Sequence, residues 1–108
     1  MKERKDVYDL PVGDTTLEWY AKAVLEMQTR PTTDPTSWNY QGAMHGFDAS
    51  LAHWRGAAPL PSESEQLDYW NQCQHGSWYF LPWHRMYLAY FEQIVAQTIV
   101  DLGGPEDW

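Results

Sequence analysis

Apolar residues recur at three- and four-residue intervals along most of this chain, and each periodic stretch is closed by proline or glycine. Leu17, Tyr20, Ala21, Val24 and Met27 fall at helical spacing. Before them, Thr15-Thr16-Leu17-Glu18 has the form of a capping box, in which a Thr oxygen and a Glu carboxylate satisfy each other's orphan amides. This predicts a first helix ending near Arg30, because Pro31 disfavours helical backbone in the residue before it. Asp34-Pro35 is a second start signal, with proline at the first helical position. Its apolar stripe is Tyr40, Ala43, Met44, Phe47 and Leu51; Gly42 and Gly46 weaken it, and a glycine beside His45 leaves room for another backbone. Residues 56–61 read as a loop, and Ser62-Glu63-Ser64-Glu65 as a second capping box opening a short helix to about Cys73. The clearest helix spans 82–102, roughly 30 Å long. Pro82 fits its first turn, Trp83, Tyr87, Leu88, Phe91, Val95 and Ile99 form its apolar side, and Leu102-Gly103-Gly104-Pro105 stops it. Trp78–Leu81 is the one stretch that suits a short extended piece. The expectation is an all-α helical bundle, an architecture whose facing helices can build metal sites.

Composition narrows this further. The chain has 108 residues, one domain at most. Apolar residues at 44% against 20% charged make it globular rather than disordered. Aromatics reach 16%, with seven Trp and seven Tyr, which suits a bulky core and a lined pocket equally. A formal net charge of −8 excludes nucleic acid and disfavours an anionic membrane surface. Lys2, Arg4 and Lys5 are too few for a binding tail and read as a solvated terminus. Arg85 and Glu92 are expected to pair along the last helix, a surface contact worth at most about 1 kcal/mol. A single cysteine excludes an intrachain disulfide. Lys-Glu-Arg-Lys-Asp after Met1 is no secretory core, and no apolar run would span a bilayer, so the expectation is a soluble, cytoplasmic chain.

The chemistry concentrates in Trp70-Asn71-Gln72-Cys73-Gln74-His75-Gly76-Ser77-Trp78-Tyr79-Phe80-Leu81-Pro82-Trp83-His84-Arg85. Two imidazoles lie nine residues apart in a strongly aromatic segment. Imidazole suits copper, iron, nickel and zinc, and an apolar shell around such a site controls solvent access and redox behaviour. His84 shares a side with Leu88, Phe91 and Val95 and should point inward; the helix N-terminus disfavours its charged form. Taken alone, it equally fits a core histidine bonded to a carbonyl. His75 falls at a helix end or in the loop entering the last helix, where a plain C-cap role competes with ligation. His45 lies in the second helix as a partly buried amphipathic residue. His53 shares its face at a spacing of eight and reads as a loop-edge residue, the less suited ligand. Cys73 is either a small buried apolar residue or chemically coupled to His75.

Together these residues resemble the first copper site of the type-3 copper proteins, the tyrosinases, catechol oxidases and haemocyanins. The resemblance rests on His75-(eight residues)-His84-Arg85, preceded by Phe80-Leu81-Pro82-Trp83 and followed by Met86-Tyr87-Leu88 and Phe91-Glu92. Cys73-Gln74-His75 is similar to the fungal-type arrangement, in which that cysteine is joined to the histidine ring by a thioether. His45, in Ala43-Met44-His45-Gly46, then matches the first ligand on an upstream helix. The strong part covers about 70–92, the weaker part 38–47. The resemblance implies a copper held by neutral His45, His75 and His84, with Cys73 beside it. In the family a second copper held by three more histidines faces the first. The pair uses dioxygen to oxidise phenols or catechols to quinones.

After His84 the sequence has no histidine, so the expectation for 1–108 is a partial tyrosinase-like domain carrying the first copper-site half only. The chain would then be a truncated piece or gene fragment of a longer protein, or a split protein whose centre a second polypeptide or a homodimer completes. Two other readings stand beside this one: a metal-binding module in which Cys73, His75, His84 and His45 hold zinc tetrahedrally, and a helical interaction domain whose partner covers its apolar faces.

Overall fold

The computed structural model describes residues 4–51, 54 and 59–108. Among these there is no strand: a short 3-10 turn at Val7–Asp9 precedes helices α1 (Thr16–Thr29), α2 (Trp38–His45), α3 (Glu63–Tyr69) and α4 (Phe80–Asp101). The all-helical expectation holds.

The start of α1 differs from the predicted capping box. Thr15 is the N-cap, but its backbone (φ −100°, ψ 6°) is not the extended geometry that aims a cap oxygen at the first turn, and its side chain makes no cap bond. Asp14 does that work, its Oδ1 accepting from the Thr16 amide at 2.7 Å. The buried face of α1 is also shifted. Ala23 and Met27 are fully buried, with Trp19 and Tyr20 packed beside them, whereas Leu17 and Ala21 are exposed. Asp34 accepts from the Thr36 amide and hydroxyl, which holds 34–36 in a turn, and α2 starts three residues beyond Pro35, capped by buried Ser37 bonding the Tyr40 amide. Gly46 ends α2, so Phe47 and Leu51 lie beyond it.

Ser62 caps α3 as expected, accepting from the Glu65 amide, but the helix stops at Tyr69 rather than near Cys73. The reason is Asn71, whose backbone is left-handed at φ 57°. α4 begins two residues before Pro82, because Trp78 and Tyr79 form a turn instead of an extended piece. Pro82 still lies in the first turn, where an amide would have no helical partner. At the other end, Gly103 (φ 81°) and Gly104 donate to the Val100 and Ile99 carbonyls, the paired bonds of a Schellman stop. Gly104 also has no space for a Cβ, which would sit 2.6 Å from Ile99 Cγ2 and 2.8 Å from Trp19.

Two small cores result. Ala23, Met27, Val95 and Ile99 join α1 to α4, with Trp38, Phe91 and Trp108 around them. Arg30 reinforces that join, bonding Thr36 and, at 2.9 Å, Thr98 Oγ1 on α4. Tyr40, Ala43, Trp54 and Trp70 form the second core, which ties α2 to the segment after α3. Glu92 pairs with Arg4, not with Arg85, so the N-terminal segment is tied to α4 rather than freely solvated. The radius of gyration is 15.6 Å, against roughly 13 Å for a self-contained domain of this length. The excess reflects an open shape that leaves Trp78 (97% exposed), Leu81 (74%) and, contrary to its predicted inward position, Leu88 in solvent. No helix among the described residues is long and apolar enough to cross a membrane.

Candidate metal centre

Three chain segments meet at the end of the second core. α2 delivers His45 as its last residue. The loop between α3 and α4 delivers Cys73 and His75, and α4 delivers His84. The loop is held against α2 by carbonyls that a helix C-terminus leaves without internal partners. The Asn71 and Gln72 amides donate to Ala43 and Met44 oxygens at 3.0 Å each. The Asn71 side-chain oxygen accepts from the Phe47 amide. Left-handed Asn71 thus turns the chain so that Cys73 and His75 come back over the end of α2. Sequence reasoning missed this residue, although an asparagine just past a helix end is a recognisable left-handed C-cap signal.

The three rings form a nearly equilateral triangle, with centroids 5.6 Å (His45–His75), 5.6 Å (His45–His84) and 5.5 Å (His75–His84) apart. One donor atom from each of His45, Cys73, His75 and His84 lies within 4.8 Å of all the others. His84 is fixed by its other nitrogen: Nδ1 lies 2.7 Å from the Phe80 carbonyl one turn back. That bond sets the tautomer, with Nδ1 donating and Nε2 left as the free acceptor facing the cluster, as metal-binding histidines commonly are. The alternatives of a carbonyl-bonded histidine and a ligand are therefore one geometry. His84 is half-buried at the fifth position of α4, facing the cluster rather than the core.

Cys73 Sγ stands 3.2 Å from His84 Nε2 and 3.6 and 3.5 Å from the two nitrogens of His75. Burial raises its thiol pKa. His75 lies in the loop, before left-handed Gly76, and like His45 it is exposed. Aromatic rings wall the site. Phe80 packs on His84 at 4.2 Å, and Trp83 lies 5.0 Å from His84 and 6.1 Å from His45. Tyr87 stacks on Trp83 and donates to the Gln41 carbonyl at 2.8 Å, binding α4 to α2 behind the cluster. Beside Phe80, an open cleft of about 450 Å³ is lined by Gly76, Ser77, Trp78 and Phe80. His53 lies outside the described residues.

Three converging imidazoles, one with its tautomer fixed by a carbonyl, suit copper. The comparisons with known proteins agree. The family model described as the common central domain of tyrosinase matches residues 35–106. The tyrosinase HcTyr1 of Hahella sp. is 54% identical over all of this chain, which covers 24% of that protein. The (+)-larreatricin hydroxylase of Larrea tridentata is 34% identical over 81% of this chain and 13% of its own length. Polyphenol oxidase 3 of Agaricus bisporus is 30% identical over 91% of this chain and 16% of its own. The chain therefore spans about a quarter or less of the length of these relatives. A matched central domain, relatives from bacteria, plants and fungi, and a histidine cluster where the matched motif falls place this chain in the tyrosinase family of copper proteins.

Proposed function

We propose that His45, His75 and His84 hold one copper ion, and that this chain supplies the first-metal half of an oxidoreductase that converts phenols or catechols to quinones with dioxygen. The observation that carries the reading is the triangle of three imidazoles with donor atoms within 4.8 Å. Copper, when bound, supplies dioxygen binding and electron transfer. The chain's own residues do the rest. The Phe80 carbonyl orients His84, Asn71 holds the His75 loop on α2, and stacked Trp83 and Tyr87 set an aromatic wall beside His45 and His84. The open cleft lined by Trp78 and Phe80, next to His84, is where a phenol ring would approach. A Cys73–His75 thioether, as the resemblance implies, would lock that ring. Its formation removes two hydrogens, taken up by dioxygen, so a lost thiol and a mass lower by two hydrogens test it.

The sequence holds four histidines, too few for two three-histidine sites. We assign the second trio to a part of the centre outside these 108 residues, on the same polypeptide or another, or to a second copy of this chain. Exposed Trp78 in the turn before α4, with exposed Leu81 and Leu88 on α4, leaves an apolar surface for such a covering half. The test is copper reconstitution with metal-to-protein stoichiometry, reduction, oxygen exposure and an optical spectrum. One copper per chain, lost in His84→Ala, is expected for the isolated half. An oxygen-dependent near-ultraviolet band together with phenol oxidation is expected once a completing half is present. Failure of the chain to bind copper would overturn the reading, and a size-verified dimer without a magnetically coupled copper pair would exclude the homodimer.

A further inference from the structure

The cluster contains four donors, and the copper reading uses three. The fourth, Cys73 Sγ, is not set apart from the others. It lies 3.2 Å from His84 Nε2 and 3.5–3.6 Å from the His75 nitrogens. With metal–sulfur and metal–nitrogen bonds of about 2.3 and 2.0–2.1 Å, neighbouring donors of a tetrahedral site stand roughly 3.3–3.6 Å apart. The separations from the sulfur to His75 have that length, and the one to His84 is slightly shorter. Only the longest separations in the cluster, up to 4.8 Å, have to shorten. His45 and His75 are exposed and at a helix end and in a loop, so their rings can close in by rotation.

We propose that, while Cys73 keeps a free thiol, the chain closes around its first metal as a four-donor site of His45, Cys73, His75 and His84. That site takes a tetrahedral d10 ion, zinc or cuprous copper. Removing the sulfur as a donor converts this closed site into the open three-imidazole one. The open state rests on the copper reading above; the closed state does not. Two general facts carry the distinction. Sites with four protein ligands leave no coordination position for a reactant, whereas catalytic ones keep one open. Thiolate donors select zinc and cuprous copper. Cys73 thus decides between a metal trap and an oxygen-accessible centre, and zinc captured by the thiol form blocks the position that dioxygen needs.

The experiment uses the metal-free 108-residue chain with its thiol shown intact by thiol titration and mass. Cobalt(II) is added as the optical probe for zinc. The expected result is a sulfur-to-cobalt charge-transfer band with intense tetrahedral visible bands, all displaced by zinc. In Cys73→Ser, with its helical circular dichroism retained, the sulfur band disappears and zinc affinity falls by at least about tenfold, since losing even an outer-shell partner costs that much. Copper(II) binding by the three imidazoles persists in that variant. Absence of the sulfur band in the thiol-intact chain, or equal zinc affinity in the two proteins, overturns the proposal. If Cys73→Ser fails to bind copper(II) while the parent shows the sulfur band, the three-imidazole reading falls and the four-donor site stands.

Discussion

Replacing Asn71 with alanine separates what builds the metal centre from what ligates it. Asn71 touches no metal donor, yet its left-handed backbone and side-chain oxygen hold the His75 loop against α2. Alanine in that conformation costs roughly 1–2 kcal/mol. Losing the side-chain bond to the Phe47 amide adds about 0.5–1.5 kcal/mol. The sum, about 1.5–3.5 kcal/mol, lowers the melting temperature on the order of 10 °C in a domain of this size. Asn71→Gly keeps the turn and both amide bonds to α2 but loses the side-chain bond, and flexible glycine adds about 0.5–1 kcal/mol of entropy. Both variants should melt below the parent, with copper affinity falling more in the alanine variant because only there is the turn itself strained. Thermal unfolding by circular dichroism, and copper titration read by tryptophan quenching (Trp83 is 5.0 Å from His84), measure both effects. An alanine variant melting within about 2 °C of the parent, well under the shift for 1 kcal/mol, with unchanged copper affinity would refute the positioning role.

Copper at about a hundred times its dissociation constant should stabilise the folded chain by about 2.7 kcal/mol; His84→Ala should abolish that rise in melting temperature, and a rise persisting in the variant would move the site elsewhere. Gly104→Ala should cost about 1–3 kcal/mol by overpacking, since its Cβ would meet Ile99 and Trp19 inside 3 Å, and a melting curve unchanged from the parent would contradict that contact. Burial, followed by the 3.0 Å bond to Glu65, pushes the Tyr40 hydroxyl up to about 12. The folded chain then keeps a proton that the unfolded chain releases above its ordinary value near 10, so stability should fall as pH rises from 10 to 12. Tyr40→Phe should flatten that decline in denaturant titrations, and an equal slope in both proteins would show that Tyr40 does not contribute to it.

Much of the frame was legible in the sequence because it rests on local physics. The Ser62 cap, Pro82 in a first turn, the Gly103-Gly104 stop and Phe91 and Val95 one turn apart each depend on a few neighbouring residues and came out as read. The candidate site was legible as a motif, since His75 and His84 sit in a distinctive segment and His45 beside a glycine.

The rest depended on partners distant in sequence. Which stripe of α1 is buried follows from where α4 and Trp108 lie, so Leu17 is exposed and Trp19 packed. Glu92 chose Arg4, 88 residues away, over Arg85 on its own helix. The placement of Cys73 among the three imidazoles comes from Asn71 bonding the open carbonyls of α2, a long-range contact that no local periodicity encodes. Sequence alone determined that the chain is helical, roughly where three of its helices lie, the Ser62 cap, the Gly103-Gly104 stop and the candidate donors, because those rest on hydrogen bonds and spacing within a turn or two. Only the tertiary structure brought four donors from three segments to one point, because that convergence is decided by which helix ends and faces have partners.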